Sequence, residues 1–343
     1  MNNFIIKRRK KISNHLIEFI FKDLANLVSS YDYWLEGIAD DLKEEIDYIE
    51  AFPDGRIVGQ KEGKITIYDL TTQKYLLDTL EHANRHGHGN PIDCALILSD
   101  GMIITGSTDS VKIWNPLTGD NKKVILDERE PYAYIFAEIS NEKIIINQYC
   151  GIEMNIWDKK TLETKRVVDS VYHEFTNAIR SIAITSNKYI VCGDEAGKIR
   201  VWAPNYDNTY NKFHKLWKGH DDAITCCIAL SSNNESMTKI CTGSLDKTIK
   251  IWSLDPIGQI EMEWINDSAI TSIVELPDKR IMCGSADGEI IVWDIINKCP
   301  TDKIFKYDFK FKASQQKISN LKVLSDGIVI IIDSDHGIIK ICS

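Results

Sequence analysis

The chain repeats itself. Seven short stretches rich in β-branched residues recur along it: KITIYDL to Leu70, VKIWNP to Pro116, MNIWDK to Lys159, KIRVWAP to Pro204, TIKIWSL to Leu254, EIIVWDI to Ile295, and IIKICS at the C-terminus. Their anchors are Tyr68, Trp114, Trp157, Trp202, Trp252, Trp293 and Cys342, at successive spacings of 46, 43, 45, 50, 41 and 49 residues. A period of about 40–45 residues holds one unit of roughly four strands, with loops taking up the excess. Repetition also decides domain organisation, because 343 residues could otherwise form two average domains or one large all-β domain.

The local pattern supports strands. In TIKIWSL and EIIVWDI the β-branched residues alternate or run together, as in strands buried on both faces, and turn residues bound each run. Hydrophobic residues make up 43% of the chain and charged residues 27%, with a mean hydropathy of −0.21, enough apolar surface for a globular core. A net charge of −9 disfavours nucleic acid as principal partner, since a surface that grips phosphates needs clustered Lys and Arg.

Nine cysteines are present, none spaced as CxxC, and Cys192, Cys241 and Cys283 sit in apolar runs where thiols act as small hydrophobes. That usage implies a reducing compartment. No cleavable leader and no apolar run of about 18 residues is visible, so the expected location is cytoplasmic, with no membrane contact. The basic run Lys7 to Lys11 adds a nuclear-import reading.

LWKGHDDAITCC followed by KICTGSLDKTIKIWSL, and GHGNPIDCALILSDGMIITGSTDSVKIW, resemble repeats of the WD-repeat β-propeller family, and the resemblance covers roughly residues 31 to 343. It implies an all-β fold: a seven-bladed propeller of four-stranded antiparallel blades over 31–343, preceded by a basic, helical segment over 1–30. The family staggers sequence against blade, so the outer strand of the last blade would come from before the first repeat. YDYWLEGI, Tyr31 to Ile38, sits where that strand is needed and would remove an open sheet edge.

The resemblance also implies buried tetrads of a GH histidine, a Ser or Thr, an Asp and the Trp. They match His220, Thr242, Asp246 and Trp252 in the fifth blade, and His88, Thr105, Asp109 and Trp114 in the second. The same residue types could form a catalytic triad, but buried polar groups must be mutually hydrogen-bonded and this set satisfies that demand by itself. No GxSxG elbow occurs. Other blades depart from the pattern: Asn266 or Asp267 stands at the His position of blade six, Ala196 at the Asp position of blade four, Tyr68 and Glu62 in blade one, and His336 and Cys342 in blade seven.

His82, His86 and His88 cluster in EHANRHGHGN, but His88 belongs to the GH position and no carboxylate or Cys is spaced to complete a metal site. Cys226 and Cys227 are adjacent on a strand and point to opposite faces, which makes them poor chelators. No metal or cofactor is expected. Ile12, Leu16, Phe19, Ile20, Leu24, Leu27 and Val28 recur at helical spacing and predict an amphipathic helix. Its stretch HLIEFIFKDLANLVSS faintly resembles an F-box, although the Leu-Pro opening is missing.

The expected function is a non-catalytic scaffold that docks other proteins on blade loops. The alternatives are a ubiquitin-ligase substrate receptor using the F-box-like segment, and an enzyme on a propeller scaffold, which would need convergent catalytic groups that the sequence does not display. The family pattern places partner-binding positions at Asp221 and Asp222 after the GH pair, and at Thr108, Glu195, Leu245 and Ala286 before the tetrad Asp or its replacement. The acidic members of that set suit a basic segment of a partner protein.

Overall fold

Short stretches rich in Ile and Val, bounded by two- to four-residue polar turns, have the length and composition of strands joined as hairpins. The computed structural model describes residues 48–51, 56–61, 64–69, 74–81, 92–107, 111–118, 120–124, 133–148, 153–161, 163–166, 177–204, 213–231, 238–295, 309–323, 327, 329–334 and 338–341. All of them fall in the unit Glu45–Ser343.

Seven antiparallel sheets follow one another in sequence. The first holds β1 (Tyr48–Ala51), β2 (Arg56–Lys61), β3 (Lys64–Asp69) and β4 (Lys74–Glu81). The second holds β5 (Ile92–Ile97), β6 (Ile103–Ser107), β7 (Val111–Trp114) and β8 (Asn121–Val124). The third holds β9 (Ala133–Ser140), β10 (Lys143–Gln148), β11 (Glu153–Asp158) and β12 (Thr164–Arg166). The fourth holds β13 (Ile179–Ile184), β14 (Ile190–Asp194), β15 (Lys198–Trp202) and β16 (Phe213–Lys218). The fifth holds β17 (Ile224–Leu230), β18 (Lys239–Ser244), β19 (Thr248–Leu254) and β20 (Ile257–Ile265). The sixth holds β21 (Ile270–Glu275), β22 (Ile281–Ser285), β23 (Glu289–Trp293) and β24 (Phe309–Lys312). The seventh holds β25 (Ile318–Val323), β26 (Val329–Asp333) and β27 (Ile338–Ile341).

Each sheet is a meander whose strands pair in sequence order. Tyr68 and the five anchor tryptophans all lie on third strands. First strands of successive sheets contact one another from β1 through β25. Second strands are therefore covered on both faces: every residue of β14, β22 and β26 is buried. The outer strand β20 is mostly half-buried or exposed.

The junctions from the fourth sheet to the seventh share a close approach at a glycine. A Cβ on Gly193 would lie 2.4 Å from Ile224 Cγ2, one on Gly243 2.5 Å from Ile270 Cγ2, and one on Gly284 2.5 Å from Ile318 Cγ2. The glycine of each Gly-Ser or Gly-Asp pair makes room for the isoleucine that starts the next sheet. Beside it, Thr225 Oγ1 donates to the Ile270 carbonyl at 2.6 Å and Thr271 Oγ1 to that of Ile318 at 2.5 Å. At the opposite end, Glu138 accepts from the Ser99 backbone N–H at 2.7 Å and hydroxyl at 3.0 Å, and Glu275 accepts in the same way from Ser231.

The structure corrects the expected architecture of seven four-stranded blades closed into a propeller behind a helix. Among the described residues six sheets have four strands and the seventh has three, none is closed on itself or on another by a shared strand, and no helix occurs. The reason is local pairing. Every sheet takes its strands from one consecutive stretch, and the last stretch contributes only β25 to β27 among the described residues. The helical reading over Ile12 to Val28, the F-box-like stretch, the basic run and the proposed closing strand Tyr31 to Ile38 lie outside the described residues.

Candidate docking surface

The end of the fifth sheet is built around one buried histidine. After β16 the chain turns at Gly219 and His220, whose N–H groups both donate to the Gly197 carbonyl at 2.9 Å. Gly197 has φ +74, and a Cβ there would lie 2.1 Å from the His220 carbonyl oxygen, so only glycine fits. This docking holds His220, 1% exposed, over the β18–β19 hairpin.

There His220 Nε2 lies 2.7 Å from Thr242 Oγ1, and Nδ1 lies 3.0 Å from Asp246 Oδ2. Trp252 Nε1 donates to Thr242 Oγ1 at 2.9 Å. A neutral ring satisfies the whole chain of donors: Trp252 N–H to Thr242, Thr242 O–H to Nε2, and Nδ1–H to Asp246. Burial pushes the His220 pKa down to about 4, against the raising pull of the Asp246 charge. Burial alone would raise the Asp246 carboxyl, but hydrogen bonds from the Thr248 side chain and the Asp221 and Thr248 N–H groups outweigh it and hold it below the usual carboxylate range. Thr242 is 0% exposed, so its hydroxyl cannot meet a substrate.

In the second sheet Trp114 Nε1 donates to Thr105 Oγ1 at 2.7 Å, while His88, Asp109 and Thr108 lie outside the described residues. So do His82, His86, Glu62, His336 and Cys342. Among the described residues no group of three His, Cys, Asp or Glu side chains is placed to hold a metal ion. No helix among them is long and apolar enough to cross a membrane.

The fourth sheet shows what the sequence pattern did not reveal. Ala196 removes the turn carboxylate at its usual place, and Asp194, two residues earlier, supplies one. Its Oδ1 accepts from the N–H groups of Ala196 at 2.9 Å and Lys198 at 2.8 Å, and its Oδ2 accepts from buried Arg200 at 3.0 Å. In the seventh sheet Asp333 stands at the Asp194 position and accepts from Ser314 at 2.6 Å, while in the sixth Asp287 keeps the usual place and accepts from Ser285 at 2.5 Å. Each anchor tryptophan of the fifth and sixth sheets also meets an aromatic ring from the preceding sheet's outer strand. Trp217 lies 5.8 Å from Trp252, edge-on at 61°, and Trp264 lies 5.3 Å from Trp293. The available signal was an aromatic residue three positions before the GH histidine or its replacement, Trp217 before His220 and Trp264 before Asp267.

Over this frame lie three segments side by side. Asp221–Ala223 borders the β18–β19 turn, with Asp221 N–H donating to Asp246 at 2.9 Å, Ser244 Oγ to the Asp222 carbonyl at 3.1 Å, and Leu245 N–H to the Ala223 carbonyl at 3.0 Å. On the other side of that turn, Asn266 N–H donates to the Lys247 carbonyl at 2.9 Å and fixes the end of β20. Asp221 and Asp222 are exposed, and among the described residues neither carboxylate has an ion-pair partner. Leu245 is 42% exposed and Ile265, at the end of β20, is 78% exposed. Ala286 is exposed on the equivalent turn of the sixth sheet. Glu195 differs from the two aspartates, because Arg180 neutralises it in an ion pair.

Comparison with known proteins agrees with this geometry. The family described as WD domain, G-beta repeat, matches residues 211–253 and 262–294. An uncharacterized WD repeat-containing protein of Schizosaccharomyces pombe is 26% identical over 61% of this chain and 57% of its own length. The NACHT domain- and WD repeat-containing protein 1 of Mus musculus is 20% identical over 55% of this chain and 12% of its own. The chain thus spans little more than half of one relative and a small part of the other. A chain in the crystal structure of a mitotic checkpoint complex superposes with a TM-score of 0.70 at 12% identity, covering 86% of each chain.

Proposed function

Because the chain belongs to the WD40-repeat family, whose general role is protein–protein interaction, we propose that it acts as a scaffold that docks a basic segment of a partner protein on the Asp221–Asp222 end of the fifth sheet. The observation that carries this reading is the pair of exposed carboxylates without a cationic partner among the described residues, on a segment held by Asp246 and Ser244. A rigid frame lets such charges act without the entropic cost of ordering a loop, and unpaired acidic groups steer a basic partner toward the surface. Similarity to a chain from a multiprotein complex is in keeping with a binding role.

The test is affinity purification from native cells with the wild type and with the combined Asp221→Lys and Asp222→Lys variant. The variant should fold normally, because both side chains are exposed and surface changes usually cost little. Loss of at least one partner, restored in neither low nor physiological salt, supports the reading. An identical partner set overturns it.

A further inference from the structure

We infer that the partner segment is amphipathic, carrying an aliphatic or aromatic side chain next to its Lys or Arg, because the acidic pair shares the sheet end with an exposed apolar pair, Leu245 and Ile265. This rests on the docking reading above and specifies its occupant.

Only four large hydrophobic side chains are strongly exposed among the described residues, namely Leu117, Leu245, Ile260 and Ile265. Two of the four stand on this one surface. Leu245 opens the β18–β19 turn, which is bonded to Ala223 on one side. Ile265 is the register partner of Thr248, at the start of the strand that leaves that turn. Strands lie about 4.8 Å apart, so the two side chains are separated by roughly two strand spacings, about 10 Å, with the acidic segment beyond Leu245. An extended peptide crossing the sheet end can place an apolar residue on this pair and a cation on Asp221 or Asp222 at the same time.

The surrounding charges define the selectivity further. Lys247 is exposed within the strip, and Lys218 donates to the backbone carbonyls of Ala196 and Asp221 rather than to a carboxylate. Asp267, beyond Ile265, is paired with Lys310 at 3.3 Å. Asp221 and Asp222 are therefore the acidic groups of the strip left for a partner, and Lys247 and Lys218 are the groups that oppose a cationic one. A purely basic ligand would leave Leu245 and Ile265 in water, and a purely apolar ligand would desolvate the two aspartates without pairing them.

The experiment selects a phage-displayed library of random dodecapeptides on the full-length protein and measures the enriched peptides by fluorescence anisotropy. Enriched sequences should pair Lys or Arg with Leu, Ile, Met or Phe. Their affinity should fall about tenfold with Leu245→Ser plus Ile265→Ser, and at least as much with Asp221→Lys plus Asp222→Lys. Lys247→Glu should tighten binding several-fold by reversing one of the two opposing charges. Each variant is first required to melt like the wild type. Enrichment of basic peptides without apolar residues, unaffected by the Leu245 and Ile265 changes, overturns this inference and leaves the basic-segment reading standing. No enrichment, or binding indifferent to the aspartate reversal, overturns both.

Discussion

Ile224 fills the space that a side chain on Gly193 would need. A Cβ at 193 would meet Ile224 Cγ2 at 2.4 Å and Ser181 Oγ at 2.8 Å, and the same arrangement recurs at Gly243 with Ile270 and at Gly284 with Ile318. The sheets are joined at these points, so their spacing is set by the absence of one carbon.

Gly193→Ala should therefore push the fourth and fifth sheets apart and cost about 1–3 kcal/mol, the usual penalty for overpacking a filled core. Urea denaturation followed by tryptophan fluorescence measures it. A variant as stable as the wild type would mean that the sheets can slide apart freely at this contact.

Acid should weaken the fifth sheet through His220. Its folded pKa of about 4 lies below the ordinary value of 6.5, so between these two values the unfolded chain binds a proton that the folded chain does not. The contribution is fully present above about pH 6.5 and declines as pH falls, reaching a loss of about 3 kcal/mol by pH 4. His220→Asn should remove most of that slope while lowering stability at neutral pH. Melting temperatures of both proteins across the interval check the sign and the window.

Trp157 tests how much a tetrad hydroxyl contributes. Its buried Nε1 has no hydrogen-bond partner among the described residues, and Ile146 stands relative to it where Thr242 stands relative to Trp252. Ile146→Val should cost about 1 kcal/mol as a simple loss of volume. Ile146→Thr has the shape of the valine variant but supplies an acceptor, so it should be equal to it or more stable. A threonine variant less stable than the valine one by about 1 kcal/mol or more would show that the hydroxyl does not reach the indole.

Five cysteines of the fourth, fifth and sixth sheets should be inert in the folded protein. Burial pushes the Cys226 thiol up to about 12, and burial likewise raises Cys192, Cys227, Cys241 and Cys283. Iodoacetamide at pH 8, read out by peptide mass spectrometry, should leave these five unmodified until denaturant is added, because the thiolate is the reacting species. Rapid labelling of any of them in native buffer would place it at an accessible surface.

The sequence by itself determined the repeat and its strands. The six aromatic anchors from Tyr68 to Trp293 fall on third strands, because a side chain every second residue and a turn after every short run are local properties of the chain. The residues at the fifth sheet's end, His220, Thr242, Asp246 and Trp252, were legible only through the resemblance to the WD repeat, and they lie on one hairpin and the turn before it. Only the tertiary structure decided what depends on a neighbouring sheet. That Asp194 replaces the carboxylate missing at Ala196, that Arg180 takes Glu195 out of the acidic surface, and that Ile265 comes to share a sheet end with Leu245 are contacts between positions whose partners no local period specifies. The strand count of the last sheet belongs to the same class. Among the described residues that sheet has three strands, and pairing at a sheet edge depends on which strand arrives there, which no local period specifies.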